Sequence, residues 1–359
     1  MSADMGGKVK VGFVLLSNSG KPIPSTRIGA LNMFPFLRAA QFDPHIVFDP
    51  QASSDQPDVT GLAEHIVAER FDVIVFQKVM GASVEKLVHD LGLAGVRTVF
   101  CVCDVVDAAM AEATDATVVV TDFLKSLYPA PLHHKIHVVH DGIEQPQIER
   151  LPVSTRRGSL AAPLRAVLVT SSYLESIPQI VVPPPWLSIT IVGRYYDTLF
   201  QRLRQSRWAL ALGSGDARLD YLRFLANPRI RCVPWSANTV YEHMRQADIA
   251  IIPIDAQESL DPAEVPSWKV KSENRLSMKM ALGLPVIATP IPSYLPLVVQ
   301  GENGFFANTR TEWMACLETL RDPAERARIG DAARASVLQR FSTEEQARLL
   351  IGVLASLVR

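Results

Sequence analysis

The feature that most limits what this chain can become is a recurrence. Short, uninterrupted apolar runs rich in β-branched residues fall at 10–16, 45–48, 73–76, 98–102, 117–120 and 136–139, each followed by a helix-like stretch. A strand with one wet face alternates apolar and polar residues, whereas a strand covered on both faces reads apolar throughout. These runs therefore predict parallel sheet sandwiched between helices. After a polar, Pro-bounded stretch at 145–163, a second series follows at 166–170, 188–192, 230–233, 249–252, 285–288 and 304–307. The expectation is two doubly wound α/β halves joined by a linker, closed by a helical tail from 322 onward in which Ser342 and Glu345 have capping-box spacing. No internal repeat and no low-complexity segment interrupts the pattern.

A chain of 359 residues exceeds what one core usually organises, which agrees with two domains. The net charge of -1 gives no bulk attraction to nucleic acid, so none is expected as a partner. Divided at residue 160, the chain carries 14 Lys and Arg against 18 Asp and Glu before the cut, and 22 against 19 after it, which makes the second half the better host for an anion. Four cysteines, Cys101, Cys103, Cys232 and Cys316, have neither zinc-site spacing nor the density of a disulfide framework. No signal-peptide core precedes the first run, and the apolar run at 349–358 is too short to cross a bilayer. A cytoplasmic protein is expected, with peripheral contact at the inner face of a membrane left open.

In doubly wound sheets ligands sit at the carboxyl ends of the strands, so two facing halves predict one cleft at their junction. The stretch 271–294 is the most informative place to look. A helix opened by Ser272 or Asn274 presents unpaired N–H groups to an anion. Lys271 and Arg275, four apart, are expected on one face of that helix, bracketing a phosphate. Lys269 and Glu273 share the neighbourhood, and Ser293 and Tyr294 follow the next strand. Other strand ends supply Ser25, Thr26 and Arg27, which serve either as a helix cap with a surface Arg or as ligand groups. Gln77 and Lys78 suit a phosphate or an acceptor hydroxyl, with a snorkelling Lys as the alternative. Gly193 and Arg194 sit at a turn where backbone approaches a ligand. Trp235 and Ser236 are placed to stack on a donor base or to join the core. His140 and Asp141 end another run. His133, His134 and His137 lack the companions a metal site needs, so no metal is expected.

The order of these features resembles the retaining glycosyltransferases of the GT-B fold, in particular the GT4-like group. The match is carried by RCVPWS at 231–236, by VYEHMRQADIAIIPI at 240–254, and by NRLSMKMALGLPV at 274–286, which is similar to the family's NKLfEymAaGkPVV. GENGFF at 301–306, the closing segment 341–350, and HVVHDGIE at 137–144 continue it. The resemblance implies a Rossmann-like acceptor domain at 1–160, a Rossmann-like donor domain at 161–340, and a tail at 341–359 that crosses back to the first domain. It implies a nucleotide-diphosphate sugar as substrate rather than any cofactor, transfer to a glycan, lipid-linked or protein acceptor, retained configuration and no metal. Asp104 and Asp107 stand where the group often carries a His-Asp pair, with Cys103 in place of the His. Asp104, Lys271 and Arg275 become the candidate catalytic residues. The group's donor-pocket Glu pair, with seven residues between, is replaced by Val270 and Met278. That departure keeps a non-catalytic partner of an active transferase as the second reading and a sugar-nucleotide epimerase as the third.

Overall fold

The computed structural model describes residues 8–144, 152–170, 180, 182–193, 195, 215–256, 259, 261 and 264–358. Arg194 lies outside them. Twelve strands form among the described residues: β1 Val9–Leu15, β2 Phe42–Phe48, β3 Val73–Gln77, β4 Arg97–Val102, β5 Ala116–Val119, β6 Ile136–Val138, β7 Leu164–Val169, β8 Leu187–Gly193, β9 Ile230–Pro234, β10 Ile249–Ile252, β11 Val286–Ala288 and β12 Phe305–Phe306. Each of the twelve apolar runs has become one strand. The helices are α1 Pro24–Gly29, α2 Phe34–Ala39, α3 Leu62–Ala68, α4 Ala82–Leu93, α5 Ala108–Ala113, α6 Asp122–Ser126, α7 Gly215–Ala226, α8 Val240–Arg245, α9 Asn274–Ala281, α10 Arg310–Thr319, α11 Pro323–Leu338 and α12 Thr343–Leu357.

Two parallel six-stranded sheets result, ordered β2-β1-β3-β4-β5-β6 and β12-β11-β10-β7-β8-β9. The chain divides into two compact units. The first takes Met1–Glu144, Asp261–Glu273 and Arg340–Arg359, and the second takes Gln145–Leu260 and Asn274–Gln339. The first sheet shows why its strands read apolar throughout. Val14, Ile74, Phe76 and Phe100 point into a core closed by Leu87 and Leu91 of α4 and Met110 of α5. The alternate residues Val11, Phe13, Val73 and Val75 point the other way, into a core closed by Leu37 of α2 and Leu350, Val353 and Leu354 of α12. On the second sheet Leu168, Ile189, Ile251 and Ile287 pack with Trp313 and Leu317 of α10 and Ile329 of α11.

The unit boundaries depart from the sequence reading in two segments, the first being 145–160, which the sequence assigns to the first domain and which groups with the second unit. Asp261–Glu273, assigned from the sequence to the donor half, groups with the first unit, because Val270 buries itself in the first core and Glu273 faces His140. The tail Arg340–Arg359 also groups with the first unit. There the Ser342 hydroxyl caps α12 by accepting the Glu345 N–H at 3.1 Å. Gly142 lets α12 start against the β6 end, since a Cβ there would come within 2.9 Å of the Thr343 Cα.

Candidate functional site

A parallel strand delivers the residues just beyond its carboxyl end to one edge of the sheet, so the functional groups of each unit follow from where its strands stop. In the first unit β3 stops at Gln77, and Lys78 turns the chain with φ 56, a conformation unusual for a residue with a Cβ. That turn brings Lys78 Nζ to 2.6 Å from Asp104 Oδ1, the two side chains being 18% and 29% exposed. Burial alone would lower the Lys78 ammonium, but Cys103 and the Asp104 hydrogen bond carry it above its ordinary value. Burial pushes the Cys103 thiol well up, so it is no nucleophile. Asp107, not Asp104, caps α5, accepting the Met110 N–H at 2.9 Å. Asp104 is thereby left to its ion pair at the sheet edge.

Thr26 is buried and donates to Gln77 Oε1 at 2.9 Å while accepting from Ser17 at 2.8 Å. It holds the edge together rather than facing outward. Arg27 grips Glu144 through two guanidinium nitrogens, so this cation is already engaged. Ser25 lines a cavity of about 40 Å³ together with Gln77, Cys103, His140, Asp141 and Leu350.

The end of β6 carries the group that sequence reasoning undervalued. His140 Nδ1 donates to the Val120 carbonyl at 2.9 Å and lies 3.3 Å from Glu273 Oε1, with the Glu273 side chain 1% exposed. The His140 backbone N–H donates to Gln346 Oε1 of α12 at 2.8 Å. Burial works against a charged imidazole here, yet the close Glu273 carboxylate outweighs it and holds His140 above its ordinary value. Asp141 is half-buried and takes a hydrogen bond from Ser272. Burial, then the nearby Glu273 charge, raises its carboxyl from 3.8 to about 7, which places its titration in the range useful for moving a proton. The ring nitrogens of His133 and His134 bond backbone carbonyls, and no group of three or more metal-ligating side chains forms among the described residues.

In the second unit α9 begins at Asn274, so the anticipated pairing of Lys271 and Arg275 on one helical face does not form. Lys271 and Ser272 lie in the non-helical approach to the helix, and Lys271 groups with the first unit while Arg275 belongs to the second. The reason is local: Val270 and Glu273 are pulled into the first unit, and the chain runs through turns at 267–270 and 273 before the helix starts at Asn274. In a parallel α/β sheet a crossover helix starts at the carboxyl edge, which puts Asn274 and Arg275 at the expected edge. Two groups there are buried without a hydrogen-bond partner among the described residues, Asn274 Nδ2 and Ser293 Oγ. Such groups cost stability unless a ligand or water meets them. Tyr294 is fully buried and serves the core. Gly193 ends β8 and accepts the Trp235 N–H at 2.8 Å, while Trp235 remains 38% exposed and Ser236 Oγ accepts from Asn238. Lys279, one turn along α9, is buried with its ammonium donating to the Arg275 carbonyl at 2.8 Å. Burial, then Arg275, lowers it to about 7.

Residues 188–322 match the family model described as glycosyl transferases group 1. No curated protein matches the chain in sequence. Among solved structures, Anabaena HepE in complex with UDP and glucose superposes with a TM-score of 0.63 at 15% identity, covering 97% of this chain and 100% of that one. A glycosyltransferase from Rickettsia africae superposes at 0.69 and 13% identity, covering 99% and 100%. The sucrose-phosphate synthase of Thermosynechococcus elongatus superposes at 0.62 and 12% identity, covering 97% and 98%. The chain thus has the GT-B fold, and its residues 188–322 carry the glycosyl transferases group 1 pattern.

Proposed function

We propose that the protein transfers a sugar from a nucleotide-diphosphate donor to an acceptor hydroxyl, with retention of configuration and without a metal. The observation that carries this reading is the match at 188–322, whose second-sheet carboxyl edge presents Arg275 and two unsatisfied polar atoms, Asn274 Nδ2 and Ser293 Oγ. HepE, bound to UDP and glucose in its crystal structure, supports a nucleotide sugar as the donor class. Departure of a diphosphate leaves negative charge on phosphate and positive charge on the sugar ring. The helix start at Asn274, with the cations Arg275 and Lys271, stabilises the former. Asp104 and Asp141 are the carboxylates that the first unit offers to an acceptor hydroxyl.

The test is a Lys271→Ala plus Arg275→Ala variant compared with the parent in thermal shift and turnover against a panel of nucleotide sugars. A ligand at 100 times its Kd adds roughly 2.7 kcal/mol of stability. The parent is expected to show that shift and the variant to lose most of it. A variant that binds and turns over like the parent refutes the assignment.

A second reading, a donor-binding partner without catalysis, draws on one observation. Val270, at the place of the first family carboxylate, is buried in the first core, and the buried carboxylate nearby is Glu273 instead. Binding of nucleotide without turnover in the presence of any acceptor favours that reading.

A further inference from the structure

At the amino-terminal edge of the second sheet, the end away from Asn274 and Ser293, the second unit holds a cavity of about 320 Å³. That size falls at the lower end of pockets that take small molecules, about 300–1,000 Å³. Asp248, directly before β10, forms part of its wall with a side chain only 3% exposed. Its Oδ2 accepts the Arg165 N–H at 2.8 Å and lies 3.5 Å from Arg165 Nε and 3.7 Å from Arg156 Nη2. Its Oδ1 has no partner among the described residues. Arg245, also in the wall, is exposed and makes no ion pair or hydrogen bond among the described residues. The surroundings of Asp248 thus hold more guanidinium than carboxylate charge, since the fully buried Arg326 also acts on it. Arg326 fixes the strap that walls the cavity, donating to the Ser154 carbonyl at 2.6 Å.

We propose that this cavity binds a small hydroxylated organic anion of the size of a monosaccharide phosphate. Its anionic group meets Arg245 and Arg165, a hydroxyl donates to Asp248 Oδ1, and its carbon face rests on Val153 and Leu284. The floor is the turn at 282–285, which ends α9. At 1.5 Å per residue this eight-residue helix sets Asn274 and Arg275 roughly 12 Å away along one rigid element. α11 packs on this turn at Gly330, where a Cβ would clash with the Gly283 carbonyl. An occupant that moves the turn moves the start of α9, which makes the cavity an effector site for the donor edge.

The test titrates the intact protein with glucose 6-phosphate, with inorganic phosphate as the control anion, following the thermal midpoint. Glucose 6-phosphate is expected to raise the midpoint more than inorganic phosphate does. The rise should persist in the Lys271→Ala plus Arg275→Ala variant. Arg245→Glu is expected to weaken binding by about tenfold or more, ~1.4 kcal/mol, and Arg245→Lys to restore most of it. An absent rise, an equal rise with inorganic phosphate, a rise unchanged in Arg245→Glu, or a rise lost in the double variant overturns the proposal.

Discussion

Replacing Asp141 by Asn removes a carboxyl whose ionised form the fold disfavours. Burial and the neighbouring Glu273 raise its pKa from 3.8 to about 7. A group with its folded pKa above the unfolded value incurs no penalty below the unfolded pKa, and loses stability as pH rises through the folded one. For Asp141 the loss therefore develops between pH 3.8 and about 7 and is complete above that. A tenfold change in proton affinity corresponds to about 1.36 kcal/mol, so the whole rise sets an upper bound of ~4 kcal/mol. Because Asp141 is only half-buried and the repulsion is shared with Glu273, about 2–4 kcal/mol is the expected size. Asn keeps an oxygen for the Ser272 hydroxyl and carries no charge. Urea unfolding of parent and Asp141→Asn, followed at about pH 4 and about pH 8, is the assay. The variant should match the parent in acid and exceed it by ~2–4 kcal/mol in base, while losing transfer activity. Equal stability at the higher pH, or a gain that does not change with pH, refutes the argument that burial and Glu273 load this carboxyl.

Glu273→Gln removes the partner that holds His140 above its ordinary value, while the burial that opposes charge remains. The His140 pKa, read by NMR titration, should fall below 6.5, the ordinary histidine value. Lys279→Met replaces a buried ammonium whose pKa is lowered from 10.5 to about 7. A depressed folded pKa means stability is lost as pH falls from 10.5 through about 7, so the variant should gain most at and below neutral pH, by ~2–4 kcal/mol in denaturant unfolding. Gly330→Ala places a methyl against the Gly283 carbonyl and should cost about 1–3 kcal/mol, seen as a lowered midpoint for the second unit.

The strands were legible because their signal is local: an unbroken apolar run such as Val73–Gln77 can hide both faces only inside a layered sheet. The Ser342 cap was legible for the same reason, since donor and acceptor lie three residues apart. The site was less so. Arg27 meets Glu144 across 117 residues, and nothing near Arg27 announces that its charge is engaged. Lys271 and Arg275 have helical spacing, but the approach to α9 is kept out of the helix by burial of Val270 and by the Glu273 to His140 pair. Tertiary contact overrode the local pattern. His140 and Asp141 gave a visible signal, adjacent titratable residues at a strand end. Their weight comes from Glu273 beside them, which is far away along the chain. Asn274 and Ser293 are polar residues of common type, and what marks them is an unpartnered buried atom, which no sequence displays.

Sugar transfer is tested most directly by nucleoside diphosphate release. Parent and Lys271→Ala plus Arg275→Ala protein are incubated with a panel of nucleotide sugars and hydroxyl acceptors. The account predicts acceptor-dependent release of diphosphate by the parent from at least one donor, with the double variant folded but slowed by about a hundredfold or more, ~2.7 kcal/mol of transition-state stabilisation. A double variant that releases diphosphate at the parent rate, or a parent that binds no nucleotide and releases none across the panel, contradicts it.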